Sequence, residues 1–325
     1  MSDPRFREFD TLSDYLPALC ADLLERQRRS WPRLREGYES LAAVQTRRVS
    51  CRGFEVTLQF NPGRMVSTTA DVDAAAITAR PCFLCREHLP PEQEGILVDS
   101  EFLVLANPAP IFSRHFTVSH RDHRRQSIED GLEFFLDLAR WVSPEFTVFY
   151  NGPKCGASAP DHLHVQMCPT GAIPIEQEVG RTARKRMETG GVAVFTLEKI
   201  GRSALVLEGT KRQGMQDAVR RLLRSMRGTE SGEEPMVNIL CSWYETKWKL
   251  IVFPRSRHRP AAYSAGGNER VVVSPASVDM GGLIITPVER DFKTLDGPRV
   301  ESIYEEVSLP EAEVELLLER FRDLG

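Results

Sequence analysis

Residues 151–166, Asn-Gly-Pro-Lys-Cys-Gly-Ala-Ser-Ala-Pro-Asp-His-Leu-His-Val-Gln, run from a loop of small residues straight into His162-x-His164-x-Gln166. In a strand, side chains two positions apart point to the same face. A strand over residues 162–168 therefore puts two imidazoles and an amide on one face, next to a loop rich in backbone N–H groups. Gly152, Gly156, Ala157 and Ala159 keep bulk out of that loop, so main-chain amides can close on an anion. Ser158 adds a hydroxyl donor and Lys154 a positive charge, and Asn151 opens the loop. The Gly-x-x-x-x-Gly-Lys-Ser/Thr spacing of a nucleoside triphosphatase loop is absent.

Chemistry at phosphorus needs a nucleophile within reach and donors for the developing negative charge. His164 is the candidate nucleophile, attacking through one ring nitrogen while a carbonyl holds the proton on the other. Gln166 can give its amide hydrogens to a non-bridging oxygen. It is neutral at every relevant pH and cannot act as a general acid or base. That favours phosphate-type acceptors over water.

Composition narrows the field. The chain has 325 residues, 41% hydrophobic and 27% charged, which suits one large or two ordinary globular domains. A net charge of −4 gives no reason to expect nucleic-acid binding. No apolar run approaches the roughly 20 residues that span a bilayer, and Met1-Ser2-Asp3-Pro4-Arg5 lacks an apolar signal core. Seven scattered cysteines fit a reduced, cytoplasmic setting better than a disulfide framework.

Working outward, residues 12–48 read as helix, with Leu12, Leu16, Leu19 and Leu23 at helical spacing and a break or restart at Pro32. The arginines of 26–35 read as a solvated face. Strands are expected over 53–60, 96–98, 102–106, 112–119 and 146–150. A helix is expected over 126–141, with Ser127 as its N-cap. After residue 170 the pattern restarts: strands over 192–197 and 204–207, a helix over 213–226, and an antiparallel pair turning at Glu245-Thr246. Phe116–His123 and Ile251–His258 echo each other weakly, as duplicated units would. Ser308 reads as the N-cap of a final helix. Asn61-Pro62-Gly63-Arg64 reads either as a plain turn or as a turn presenting Arg64 to a phosphate or base. Asp279-Met280-Gly281-Gly282 is a polar turn that either lines the site or serves only its own geometry.

Asn151, Gly156-Ala157-Ser158 and His162-Leu163-His164-Val165-Gln166 together resemble the histidine-triad superfamily, specifically its transferase branch. That branch holds the galactose-1-phosphate uridylyltransferases and the diadenosine tetraphosphate phosphorylases. Leu163 stands where the uridylyltransferases carry proline, and Asp161 where proline adjoins their first histidine. With Trp243–Lys249, Leu163 draws the likeness towards the phosphorylases, in which Lys247 and Arg255 would hold the second substrate's phosphates. The resemblance implies an α+β fold of duplicated units, with mostly antiparallel sheets flanked by helices. Residues 1–185 would form the N-terminal catalytic half, and 186–325 a C-terminal half completing it. His164 would carry the nucleotide, with Asn151, Ser158 and Gln166 on the phosphate and Lys154, Gly156 and Arg64 completing the substrate set.

Cys82-Phe83-Leu84-Cys85 has the spacing of half a zinc knuckle, though free cysteines are also common core residues. The resemblance implies a structural zinc on Cys82, Cys85, His115 and His162, with His120 and His123 competing for the place given to His115. The implied activity is transfer of a nucleoside monophosphate from a sugar nucleotide or dinucleoside polyphosphate to a phosphate-type acceptor, by a protein that forms homodimers. Two alternatives are a nucleotide hydrolase and a non-catalytic, zinc-stabilised nucleotide-binding protein.

Overall fold

Pro32 cannot donate an N–H and disfavours helical geometry at the residue before it. Trp31 accordingly lies extended between helices Leu16–Ser30 and Pro32–Ala42. The computed structural model describes residues 3–8, 15–227 and 233–324, so Leu12 of the expected first helix lies outside the described residues. Leu16, Cys20, Leu23 and Leu24 bury one stripe of the first helix. The expected helical stretch stops at residue 42, and residues 45–50 are a strand.

Among the described residues there are fourteen strands, numbered in chain order. They are β1 (Phe6–Glu8), β2 (Gln45–Ser50), β3 (Glu55–Phe60), β4 (Gly95–Val98), β5 (Phe102–Ala106), β6 (Phe116–His120) and β7 (Phe146–Asn151). Then come β8 (His164–Pro169), β9 (Ala183–Thr189), β10 (Val192–Leu197), β11 (Leu205–Gly209), β12 (Val237–Tyr244), β13 (Lys247–Pro254) and β14 (Leu283–Thr286). Eleven of them form one sheet in the order β1-β4-β5-β6-β8-β7-β12-β13-β11-β10-β9. Every pairing in it is antiparallel except β1 with β4. A second, small sheet has the order β14-β3-β2, and so unites segments from opposite ends of the chain.

The strand order exposes a duplication. β4-β5-β6, a helix at Ile128–Trp141, then β7 and β8 with β8 beside β6, make one unit. β9-β10-β11, a helix at Arg212–Arg227, then β12 and β13 with β13 beside β11, repeat it. The units join edge to edge through β7 and β12. The expected duplication is present, but the echo between Phe116–His123 and Ile251–His258 is not its trace. Those segments are β6 and β13, whereas β13 is the counterpart of β8. The boundary read between residues 185 and 186 falls within β9.

The two units differ at one connection. β12 and β13 are joined by Glu245-Thr246, both at positive φ (47° and 65°), as a tight hairpin demands. The matching connection between β7 and β8 is the whole loop 152–163. Only the first unit therefore has a loop to build with.

Alternation along β8 divides its side chains. Val165 and Met167 join the core beneath helices Leu16–Ser30, Ile128–Trp141 and Arg212–Arg227. Cys168 joins the core on the opposite face, with Leu58 of β3 and Ile284 of β14. His164 and Gln166 share the face of Cys168. Ser127 caps its helix as expected, its hydroxyl accepting from Asp130 N–H. Ser308 does not start a helix. It is the C-cap of helix Gly297–Val307, and the last helix, Glu311–Asp323, follows Pro310 with no side-chain cap.

Candidate functional site

The strand carrying the motif begins at His164, two residues later than expected. His162 is therefore not on a shared face with His164 and Gln166, and points elsewhere. The start of β8 is pinned by Gln126, a residue with no signal in the sequence. Its amide donates to the carbonyls of His164 (3.0 Å) and Asn151 (2.8 Å). Its carbonyl accepts the His164 N–H at 2.8 Å. One buried side chain thus ties the end of β7 to the start of β8.

His164 is oriented by its own neighbour. Its Nδ1 lies 2.8 Å from the carbonyl oxygen of His162, an acceptor only, so Nδ1 carries the proton. Nε2 keeps its lone pair, and it has no partner among the described residues. Burial pushes the His164 pKa down to about 4, which keeps the ring neutral at neutral pH.

A cavity of about 750 Å³ opens between β8 and the segments that follow β3 and precede β14. It is lined by His164, Gln166, Asn151, Gly156, Ser158 and Arg64, which brings six of the predicted residues together. Asn151 accepts at Oδ1 from Asn238 Nδ2 (3.1 Å) and Ser277 N–H (2.9 Å), which leaves its own amide hydrogens as donors. Gly156 sits at φ +90°, and a Cβ there would lie 2.6 Å from Ala276 Cβ. Only glycine fits both demands. Arg64 donates to Ala109 O at 2.8 Å, and burial lowers its pKa to about 10 while it stays a cation. Asp279 also lines the cavity, its carboxylate accepting the N–H groups of Ala276 and Ile285 at 2.9 Å each. Burial raises its pKa to about 6.

Three assignments are corrected. Lys154 does not reach the cavity, because it points to the surface and pairs with Glu233. Arg255 is buried and does not line this cavity. It donates to Asn238 Oδ1 (2.6 Å) and to the carbonyls of Pro275, Val307, Arg257 and His258, and so holds the residue that holds Asn151. Lys247 pairs with Glu208 at 3.0 Å.

The fourth correction is His115. Cys82, Cys85, His123 and His162 place one ligand atom each within 4.8 Å of one another, and His115 is not among them. His162 Nε2 donates to His120 O at 2.7 Å, which leaves Nδ1 facing the thiols, 3.3 Å from Cys82 and 3.6 Å from Cys85. His123 Nδ1 lies 3.1 Å from Cys85 Sγ. A tetrahedral zinc with ordinary bond lengths needs sulfur–nitrogen edges of about 3.5 Å, so the cluster fits that ion. Asp161 stands 3.7 Å from the outer nitrogen of His123 and 3.2 Å from Arg80, the carboxylate partner a ligating histidine commonly has. His115 turns the other way, its Nε2 2.9 Å from Gln166 Oε1.

Residues 23–169 match the model of the family described as domain of unknown function DUF4922, and residues 174–320 that of the GDPGP1-like C-terminal domain. No protein of curated function matches by sequence. The yeast Ap4A phosphorylase Apa2 has a similar fold, at a TM-score of 0.66 and 15% identity over 92% of this chain and 99% of that one. Its complex with Ap4A gives 0.61 and 15%, covering 90% and 98%. Its complex with AMP gives 0.58 and 17%, covering 89% and 97%. Among the described residues no helix is long and apolar enough to cross a membrane.

Proposed function

We propose that this chain belongs to the transferase branch of the histidine-triad superfamily and is a nucleotidyltransferase of phosphorylase type that works through a covalent nucleotidyl-histidine on His164. The donor is a dinucleoside polyphosphate or a nucleoside diphosphate sugar, and the acceptor a phosphate or a phosphate monoester. One observation carries the reading: the proton of His164 is held on Nδ1 by the His162 carbonyl, while Nε2 is free at the cavity wall. The solved complexes of the yeast phosphorylase contain AMP and Ap4A, which supports a nucleotide as the substrate here.

In the first step the Nε2 lone pair attacks the α-phosphorus. A nitrogen–phosphorus bond forms, and the bond to the leaving phosphate oxygen breaks with its electron pair. The positive charge that develops on the ring is stabilised through Nδ1–H by the His162 carbonyl. In the second step an acceptor phosphate oxygen attacks the same phosphorus and returns the imidazole neutral. Asn151, Ser158, Gln166 and the main chain around Gly156 line the cavity as donors for the phosphoryl oxygens, and Arg64 supplies a fixed positive charge. Cys82, Cys85, His123 and His162 would hold zinc. With four protein ligands the role of that ion would be structural, and these residues would hold the backbone leading into His164.

The test uses α-phosphate-labelled Ap4A and nucleoside diphosphate glucose, with the reaction quenched in base, where a phosphoramidate survives. Label on His164, lost in acid and absent from His164→Ala, is expected. No label from any donor, with turnover unchanged in His164→Ala, would remove the covalent reading.

A further inference from the structure

His115 is fully buried, sits outside the thiol cluster and is not used by the mechanism above. Its surroundings fix its tautomer. Nδ1 accepts the Ile111 N–H at 3.1 Å, so Nδ1 has no proton and Nε2 must carry it. Nε2 lies 2.9 Å from the Gln166 side chain, and a donor there requires the amide carbonyl opposite it. The amide nitrogen of Gln166 then faces away from His115, and it has no partner among the described residues. The imidazole is itself held. Its backbone N–H reaches Tyr38 Oη at 3.2 Å, and the rings of Phe112 and Phe149 pack around it at 5.7 and 6.0 Å.

We infer that His115 is a positioning residue for the transfer, donating to the Gln166 carbonyl so that both amide hydrogens of Gln166 face the phosphate. This rests on the proposed role of Gln166 as a phosphate donor. An amide has two ends of opposite polarity, and a half-turn would present its carbonyl oxygen to the phosphoryl oxygens. Without His115 no other side chain among the described residues chooses between the two orientations. Burial, then the charge of Arg64, hold the His115 pKa near 3, so the ring stays neutral and keeps one donor and one acceptor.

Two measurements test this. Nitrogen-15 spectra of the imidazoles in the intact protein should show His115 as the Nε2–H tautomer, and an Nδ1–H tautomer would overturn the inference without any variant. The second is a double-mutant cycle, with Ap4A and inorganic phosphate as substrates and nucleoside diphosphate glucose as the alternative donor. His115→Leu should lower kcat about ten- to a hundredfold with KM little changed. His115→Gln, whose amide can place a donor near the old Nε2, should recover most of that loss. In a Gln166→Ala background, His115→Leu should slow the enzyme no further. Equal effects in both backgrounds, or no rescue by His115→Gln in a protein that melts normally, would reduce His115 to a packing residue. If Gln166→Ala itself turns over at the normal rate, the reading of Gln166 falls, and this inference with it.

Discussion

The Nδ1 of His164 lies 2.8 Å from the carbonyl oxygen of His162, so the two motif histidines are coupled through the backbone and not across a shared face. One ring points at thiols and the other at an open cavity. A metal bound at the first would therefore stiffen the peptide unit that sets the tautomer of the second.

On the proposed mechanism, no side chain lacking a free ring nitrogen at the same point can replace His164. Turnover of labelled donor in His164→Ala should fall by at least about a thousandfold, as loss of a covalent nucleophile does elsewhere. Binding of the nucleotide should weaken far less, because Asn151, Ser158 and the Gly156 backbone remain. Equilibrium titration of the variant beside its rate separates the two effects, and near-normal turnover would show that the ring is not the nucleophile.

Metal content distinguishes His123 from His115. Protein purified without chelator should hold about one zinc per chain, by elemental analysis. His123→Ala and Cys85→Ser should lose it, and His115→Leu should retain it. Because the binding free energy of a structural zinc is folding free energy, stripping the ion should also lower the melting temperature. Zinc retained in His123→Ala but lost in His115→Leu would restore the assignment read from the sequence.

The period of two expected over 162–168 placed His164 and Gln166 on one face, and the small residues of 152–159 marked the loop, because both signals are local; it placed His162 there as well, which the strand's start at His164 does not allow. The fourth metal ligand is a long-range fact. His115, His120 and His123 all lie within nine positions, and nothing local ranks them. The one clue was Asp161, the departure from the family pattern, which faces His123. β9 escaped notice because Ala183–Thr189 is an exposed, charged edge strand without alternating apolar residues. Charge within a phosphate loop says nothing about direction, so Lys154 could not be placed from sequence, and the role expected of Arg255 rested on the resemblance alone. The duplication was legible as a restart of pattern, but its register emerged only from strand order.

Gly156 offers a stability test that leaves every donor in place. Its φ of +90° and the 2.6 Å approach of a Cβ to Ala276 Cβ make Gly156→Ala both strained and overpacked. A loss of about 2–4 kcal/mol is expected in denaturant unfolding. Asn238→Ala should act on the same loop by another route, removing the donor to Asn151 Oδ1 and to Cys155 O (2.7 Å). Its cost should be about 1–3 kcal/mol, with a raised KM for the nucleotide because Asn151 is freed to turn. Wild-type stability in both variants would mean that the loop is not held as described.

Stability should also depend on pH through Glu234. This buried carboxyl accepts from Tyr150 Oη and Ile128 N–H, each at 2.6 Å, and burial raises its pKa from 4.5 to about 7. A folded-state pKa above the unfolded one means that the native protein binds the extra proton between those values. The contribution is thus fully present below about pH 4.5 and is lost as pH rises through about 7. A shift of this size corresponds to roughly 3 kcal/mol. Asp279, raised to about 6, adds a slope of the same sign. Glu234→Gln mimics the protonated group, so its unfolding free energy should fall less than that of the wild type between pH 5 and pH 8. If the two proteins show the same pH slope, Glu234 is already ionised in the native state at pH 5, and burial is not governing its proton.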